Sequence, residues 1–249
     1  MSTIARGRLL YRSKVEYANY ALNHYSGCAM GCVYCSAMLN GVRRKQFRDR
    51  LDWMNPRIVK DAIPQLEREL SRAPKDLKEI WLCPVTDPYQ PIEDTVQLTR
   101  GILELLVTHH VPIRILTKSS GICRDAKFII EHRDLIKVGF TITSLDEDVR
   151  RKYEPNAPSV WDRARILEYF HKHDVKTWCS VEPILGGYYG TGPTAILDTL
   201  KDDVDWWVFG KDNYTKRPLP YKNIRDEIIA WFRKHTMTNY LIKKELRDA

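Results

Sequence analysis

Tyr25-Ser26-Gly27-Cys28-Ala29-Met30-Gly31-Cys32-Val33-Tyr34-Cys35 is the stretch on which the reading of this chain turns. The C-x3-C-x2-C spacing, with an aromatic directly before the last thiol, suits a four-iron cluster with one iron left bare. Thiolates are soft ligands that select iron–sulfur clusters or zinc. Three of them on a cubane leave one coordination position free, and an open position implies catalysis where a closed one implies structure. Gly27 and Gly31 let the loop turn tightly around inorganic sulfides, since glycine accepts dihedrals that other residues resist. The competing reading is a zinc site that takes His24, or one of the scattered cysteines, as fourth ligand. Structural zinc sites generally bring a second ligand pair at a fixed interval, whereas Cys83, Cys123 and Cys179 stand alone and far apart.

A chain of 249 residues with 43% hydrophobic content is long enough for one barrel-type domain. Its N-terminus has no apolar run that would serve as a signal peptide, and no stretch approaches the ~20 apolar residues of a membrane span. A soluble, cytoplasmic protein with no membrane partner is expected. Six cysteines without a compact framework do not suggest disulfides, and a three-thiolate cluster site needs a reducing compartment. The net charge of +8 is concentrated at the chain ends: residues 1–60 carry 11 Lys and Arg against 3 Asp and Glu, and residues 211–249 carry 10 against 5. Arg43, Arg44, Lys45, Arg48 and Arg50 follow the cysteine loop, with Phe47 and Trp53 interleaved. Such a patch near an active-site mouth attracts phosphates, although a solvated helix face has the same composition.

Short apolar runs alternate with longer amphipathic ones. Strands are expected at Tyr20–Tyr25, Glu79–Cys83, Ile113–Thr117, Val138–Thr143, Thr177–Val181 and Trp206–Phe209. Asn55-Pro56 opens a helix carrying Ile58, Val59, Ile63, Leu66 and Leu70 at helical spacing. Thr95 starts another with Leu98, Ile102, Leu105 and Leu106, Ser159 caps a third, and Ile224 to Phe232 forms a fourth. This alternation predicts an α/β fold, a partial (β/α)6 TIM-type barrel. It spans one domain, 1–249, with its core at about 17–213 and a basic helical extension at 214–249. Ligands of such sheets are held by loops at the carboxyl ends of strands. The cysteine loop follows the first expected strand. Thr86-Asp87, Lys118-Ser119-Ser120, Ser144, Glu182 and Lys211-Asp212-Asn213 follow the others.

The cysteine motif resembles that of the radical S-adenosylmethionine (SAM) superfamily. The segments Asn23-His24-Tyr25-Ser26-Gly27-Cys28, Thr86-Asp87-Pro88-Tyr89-Gln90-Pro91-Ile92-Glu93, Ile115-Leu116-Thr117-Lys118 and Ser180-Val181-Glu182-Pro183 are similar to its spore photoproduct lyase-like branch, over about Tyr17 to Asn213. The resemblance implies that Cys28, Cys32 and Cys35 hold a [4Fe-4S] cluster whose free iron chelates SAM, and that Tyr34 packs near the adenine. The methionine end of SAM carries an ammonium and a carboxylate, so it needs acceptors and a cation. Thr86 and Asp87 suit the ammonium, and Lys118 with Ser119 suits the carboxylate; Ser144 completes the expected cofactor contacts. As a turn residue before Pro88, Asp87 also has a purely structural reading. Alternation puts Trp178, Ser180 and Glu182 on one strand face, which leaves Glu182 needing a partner in a ribose hydroxyl, a substrate or Lys211.

The branch resemblance also brings Cys83 into consideration as a hydrogen-atom donor. Its offset from Asp87 does not match, and a one-residue displacement turns a strand side chain to the other face. Cys83 therefore reads as a small buried hydrophobe, as does Cys179. The expected function is reductive SAM cleavage followed by hydrogen-atom abstraction. A modified nucleobase in DNA or tRNA is the first choice of substrate, a peptide or small metabolite the second. A reductant such as flavodoxin or ferredoxin is the implied electron donor. The reading from another class is a non-catalytic, zinc-stabilised nucleic-acid-binding module.

Overall fold

Ile113–Thr117, Ile136–Thr141 and Thr177–Val181 are rich in β-branched and aromatic residues and are buried almost throughout, as strands covered on both faces must be. They form the middle of an eight-stranded sheet in the computed structural model, which describes residues 1–185, 192–213 and 219–249. In chain order the strands are β1 (Leu10–Arg12), β2 (Tyr20–Leu22), β3 (Ile80–Leu82), β4 (Ile113–Thr117), β5 (Ile136–Thr141), β6 (Thr177–Val181), β7 (Trp206–Phe209) and β8 (Tyr240–Ile242). They lie side by side in that order. β1 is antiparallel to β2, and every neighbouring pair from β2 to β8 is parallel.

Amphipathic helices fill the crossovers: α1 (Ser36–Arg43), α2 (Ala62–Leu70), α3 (Leu98–Thr108), α4 (Ala126–Glu131), α5 (Glu147–Tyr153), α6 (Val160–Lys172), α7 (Pro193–Leu200) and α8 (Tyr221–Lys234). One sheet face, with Leu82, Ile115, Val138, Cys179 and Phe209, packs beneath Leu66, Ile102, Leu167, Ile196 and Phe232 in a hydrophobic cluster that runs from Leu9 to Leu246. No described helix is long and apolar enough to cross a membrane.

The other face curls inward. Tyr17, between β1 and β2, lies 5.2 Å from the Trp81 ring on β3, 5.7 Å from Trp178 on β6 and 5.7 Å from Trp206 on β7. One ring meets strands this far apart in sheet order only if the sheet bends around it. Arg114 on β4 fills the same interior, its guanidinium over the Trp178 and Trp206 rings and 2.6 Å from Glu79 Oε2. Gly139 on β5 is required there, since a Cβ would lie 2.3 Å from the Trp178 indole. β1 and β8 do not pair, so the barrel is partial. Across the gap Lys244 N donates to Glu16 Oε1 at 2.8 Å.

Several elements differ from the expectation. The first strand ends at Leu22, where Asn23 turns the chain by accepting from Val85 N at 3.3 Å. Tyr25–Ser26 joins a separate three-stranded sheet with Arg57–Val59 and Thr3–Ile4. Ile58 and Val59 thus lie on a strand, and the helix expected from Asn55-Pro56 starts only at Ala62. Two β-branched residues with a strand on either side gain more from pairing than from a helical turn. The helix expected from Thr95 breaks at Gln97, which adopts a φ of 48°, and α3 begins at Leu98. The fourth strand covers Ile136–Thr141 rather than Val138–Thr143. Ser159 does cap its helix, accepting from Asp162 N at 3.0 Å. Of the expected extension, residues 214–218 lie outside the described residues. The rest supplies α8 and β8, so it is part of the sheet.

Candidate active site

The cysteine loop leaves Tyr25–Ser26 through Gly27, whose φ of 93° is open to glycine and whose Cβ would lie 2.6 Å from Trp53 O. Gly31, at φ 64°, makes the second turn. Backbone bonds tie the loop down at Cys28 N to Trp53 O, 2.9 Å, and Val33 N to Tyr153 O, 2.9 Å. Side chains complete the cradle. Gln90 accepts from Ala29 N at 2.9 Å and donates to Gly27 O at 3.3 Å, Asn156 donates to Ala29 O at 2.8 Å, and Arg50 donates to Gly31 O at 2.5 Å. Cys35 caps α1, its Sγ accepting from Met38 N at 3.4 Å.

Cys28, Cys32 and Cys35 line one cavity of about 280 Å3 at the carboxyl ends of the barrel strands. Burial pushes all three thiols above the ordinary cysteine value, Cys32 to about 12, so a positively charged metal group is what would hold them as thiolates. Three soft sulfur donors lining one cavity are the donor type that iron–sulfur clusters take. His24, the fourth ligand of the zinc reading, is fully buried elsewhere, 2.8 Å from Thr99 Oγ1, with its pKa pressed by burial to about 3.

Tyr34, Thr86, Asp87, Lys118 and Glu182 reach this cavity. Asp87 already accepts from Tyr89 N at 2.9 Å, Thr117 Oγ1 at 2.6 Å and Lys118 N at 2.8 Å. It clamps the loop after β3 to the end of β4, and burial still holds its pKa above the usual carboxylate value. Thr86 Oγ1 is buried with no partner of good hydrogen-bond geometry, only the Cys83 thiol beside it, and remains available to a ligand. Burial works against the Lys118 ammonium, but Cys32 and Glu154 nearby keep its pKa above the ordinary lysine value. Ser119 and Ser144 are not among the lining residues; their hydroxyls accept from Gly121 N at 3.0 Å and Asp146 N at 3.1 Å, shaping the turns after β4 and β5.

Glu182 finds its partner in a residue the sequence reading passed over. Lys243 Nζ lies 2.9 Å from Glu182 Oε1, while Ser180 Oγ and Tyr17 OH donate to Oε2 at 2.9 and 3.3 Å. Lys211 lines the cavity without this contact. Glu154 and Arg163 were also missed. They form an ion pair at 2.6 Å, with side chains 1% and 0% exposed, and Glu154 accepts from the Tyr34 hydroxyl. Tyr34 is thereby tied to α6, and Lys118 Nζ stands 5.7 Å from its ring centroid. Nothing in the sequence pairs these residues. The only local signal is that α6 has an arginine on a face otherwise made of Val160, Ala164 and Leu167.

Cys83 is buried as expected, yet it lines the cavity, because strand alternation stops at Leu82 and a φ of 51° redirects the next residue. Its Sγ lies 3.3 Å from His24 Nδ1. Cys179 stays in the core. Phe47 and Trp53 are buried against Gly41, while Arg43, Arg44, Lys45, Arg48 and Arg50 are exposed, together with Gln46, Asp49 and Leu51.

Among solved structures, spore photoproduct lyase complexed with dinucleoside spore photoproduct superposes with a TM-score of 0.68 at 15% identity, covering 96% of this chain and 80% of that one. Streptococcus suis SuiB bound to S-adenosylmethionine gives 0.65 at 11% identity over 90% of this chain and 46% of that one. These likenesses concern the fold. An uncharacterized protein of Methanocaldococcus jannaschii is 29% identical over 174 residues, 70% of this chain and 63% of its own length. One from Mycobacterium tuberculosis is 27% identical over 169 residues, 67% of this chain and 49% of its own length. The chain thus spans half to less than two thirds of the curated relatives it matches. Residues 22–200, from β2 to the end of α7, match the sequence profile of the Radical SAM superfamily, and the chain belongs to that superfamily.

Proposed function

We propose that the chain is a radical SAM enzyme that abstracts a hydrogen atom from a nucleobase in DNA or tRNA. The observation that carries the reading is a single cavity lined both by the three thiols and by the Glu182–Lys243 pair. Cys28, Cys32 and Cys35 would hold a [4Fe-4S] cluster, which with bound SAM and a donor of flavodoxin or ferredoxin type would supply the radical chemistry. The protein's own share is binding and aim. Lys118 offers a cation to the SAM carboxylate and Thr86 Oγ1 an acceptor to its ammonium. Tyr34, fixed by Glu154, supplies a rigid ring beside them. Tyr17 and Trp81 line the cavity with aromatic surface, and Trp178 packs against the Tyr17 ring.

Lys211 lines the same cavity, and the basic ends of the chain favour a polyanion as substrate. A target base would be extruded from its stack to enter. Spore photoproduct lyase forms a complex with a dinucleoside spore photoproduct, whereas SuiB binds a precursor peptide, and a peptide substrate is the second reading. A reducing compartment such as the cytoplasm suits the thiols. Anaerobically reconstituted protein with dithionite and SAM should form 5'-deoxyadenosine, and Cys32→Ala should abolish it. A fully loaded protein that leaves SAM intact with every nucleic-acid and peptide candidate overturns the reading.

A further inference from the structure

A second concavity, of about 750 Å3, lies outside the barrel between β1 and the C-terminal half of α2. Arg6, Arg8, Arg12, Arg68 and Arg72 all line it, and Glu69 is its one acidic lining residue. Arg12 is paired with Asp76 at 2.7 Å. Arg6, Arg8, Arg68 and Arg72 form no ion pair with any described carboxylate, and all four are exposed. Glu69 does not neutralise them. Its carboxylate accepts from Leu9 N at 3.0 Å, Leu10 N at 2.7 Å and Gln65 Nε2 at 3.0 Å, and so it is spent on the backbone of the edge strand.

We infer that this groove binds the phosphodiester backbone of a nucleic acid whose target nucleotide occupies the barrel mouth. The inference rests on the nucleic-acid reading of the mouth proposed above. Planar guanidinium forks match phosphate oxygens bidentately, and four unneutralised ones in one concavity have no other obvious stabilising partner. A peptide strand added to the sheet edge is disfavoured, because Glu69 already takes the Leu10 N donor at the start of β1 and the Leu9 N donor before it. A membrane surface is disfavoured because the arginines line a concavity rather than flank an apolar face.

Continuity with the active site points the same way. Arg6 and Arg8 lie between β1 and Thr3–Ile4, and Thr3–Ile4 pairs with Arg57–Val59, the strand that also holds Tyr25–Ser26 at the head of the cysteine loop. Lys60 N donates to Ile4 O at 2.9 Å, and the Lys60 residue is exposed. A nucleic acid whose base sits in the mouth would run down the outer wall past these residues to the groove. Contacts of this kind position a nucleic acid without reading its sequence.

The test is the salt dependence of binding of fluorescent single-stranded DNA, duplex DNA and tRNA to the cluster-loaded protein. Arg6→Gln, Arg8→Gln, Arg68→Gln and Arg72→Gln together should weaken binding at least tenfold at low salt. They should also flatten the slope of log K against log[salt] by about 0.7–0.9 for each phosphate that is no longer neutralised. Iron content and uncoupled SAM cleavage should stay at the parent level. Arg68→Glu/Arg72→Glu, which leaves the N-terminal segment intact, should act in the same direction. An unchanged slope and affinity in both variants overturns the groove even if the mouth accepts nucleic acid, and so does a parent protein that binds none of the three probes. Competition by inorganic phosphate alone at concentrations that leave the salt slope intact also overturns it, since it marks a single-anion site. Loss of binding in the variants, in a protein that turns over no nucleic acid, upholds the groove and removes the substrate reading alone.

Discussion

Lys243 Nζ lies 2.9 Å from Glu182 Oε1, joining the residue after β8 to the residue after β6 across the mouth of the barrel. The lysine is 23% exposed and the glutamate 18%, so both face the cavity while largely shielded from bulk water. Burial alone would lower the Lys243 pKa, but the Glu182 carboxylate holds it above the ordinary value, so the ammonium persists at neutral pH. The residue after β8 therefore delivers a charged lysine, paired with Glu182, to the same cavity that the thiols line.

Lys243→Met should leave iron loading and uncoupled formation of 5'-deoxyadenosine near the parent level while slowing substrate conversion. Charge-assisted hydrogen bonds contribute about 1.5–3 kcal/mol, so a 10- to 100-fold loss in kcat/KM is expected. Single-turnover assays that follow both products check it. A parallel fall in SAM cleavage would mean that the residue acts on the cofactor.

Arg163→Met should be among the most destabilising single changes in the chain, since it strands the Glu154 carboxylate in a fully buried position. Losing one partner of a buried ion pair costs about 3–5 kcal/mol, or roughly 6–20 °C in Tm for a chain of this size. Glu154→Gln combined with Arg163→Met should recover part of the loss. Thermal melts of the three proteins separate these outcomes.

Glu154 also predicts an acid limb of stability. Burial would raise its pKa, but Arg163, Lys118 and the Tyr34 hydroxyl together hold it below the ordinary value of 4.5. Its contribution is therefore complete above the unfolded value and is lost as pH falls through the folded one. The Tm gap between the parent and Glu154→Gln should narrow as pH drops below that range. A gap that widens on acidification would contradict the depressed value.

Gly139→Ala places a methyl where the Trp178 indole stands, 2.3 Å away, and threatens the bond from Trp178 Nε1 to Ile115 O at 2.9 Å. Overpacking of this kind costs about 1–3 kcal/mol. Adding Trp178→Leu should make the alanine nearly neutral, and a double-mutant cycle of melting temperatures measures that coupling.

Gln90→Ala removes two of the three side-chain bonds that hold the Gly27–Ala29 segment of the cysteine loop, leaving that from Asn156. The reconstituted protein should retain fewer irons after desalting and release them faster to a chelator, with its Tm lowered only modestly. Equal iron retention would show that Asn156, Arg50 and the backbone bonds suffice.

Much of this site was legible along the chain because its donors are local. Cys28, Cys32 and Cys35 sit within eight residues, and the Gly27 and Gly31 turns between them follow from the same short stretch. Six strands were located because runs such as Ile113–Thr117 and Thr177–Val181 are buried on both faces and need no partner to be recognised. Ile58 and Val59 misled for the opposite reason, since helical spacing is compatible with them and only their two neighbouring strands decide otherwise.

The sequence by itself determined the soft-ligand trio, the βα alternation and the cationic ends of the chain, because each is carried by residues close together in the polymer. Tertiary structure alone decided that Lys243 meets Glu182 and that Arg163 neutralises Glu154, and it brought Arg6 and Arg8 beside Arg68 and Arg72. Those contacts arise from the curl of the sheet and the packing of helices on it, which bring together charges that linear spacing leaves unrelated.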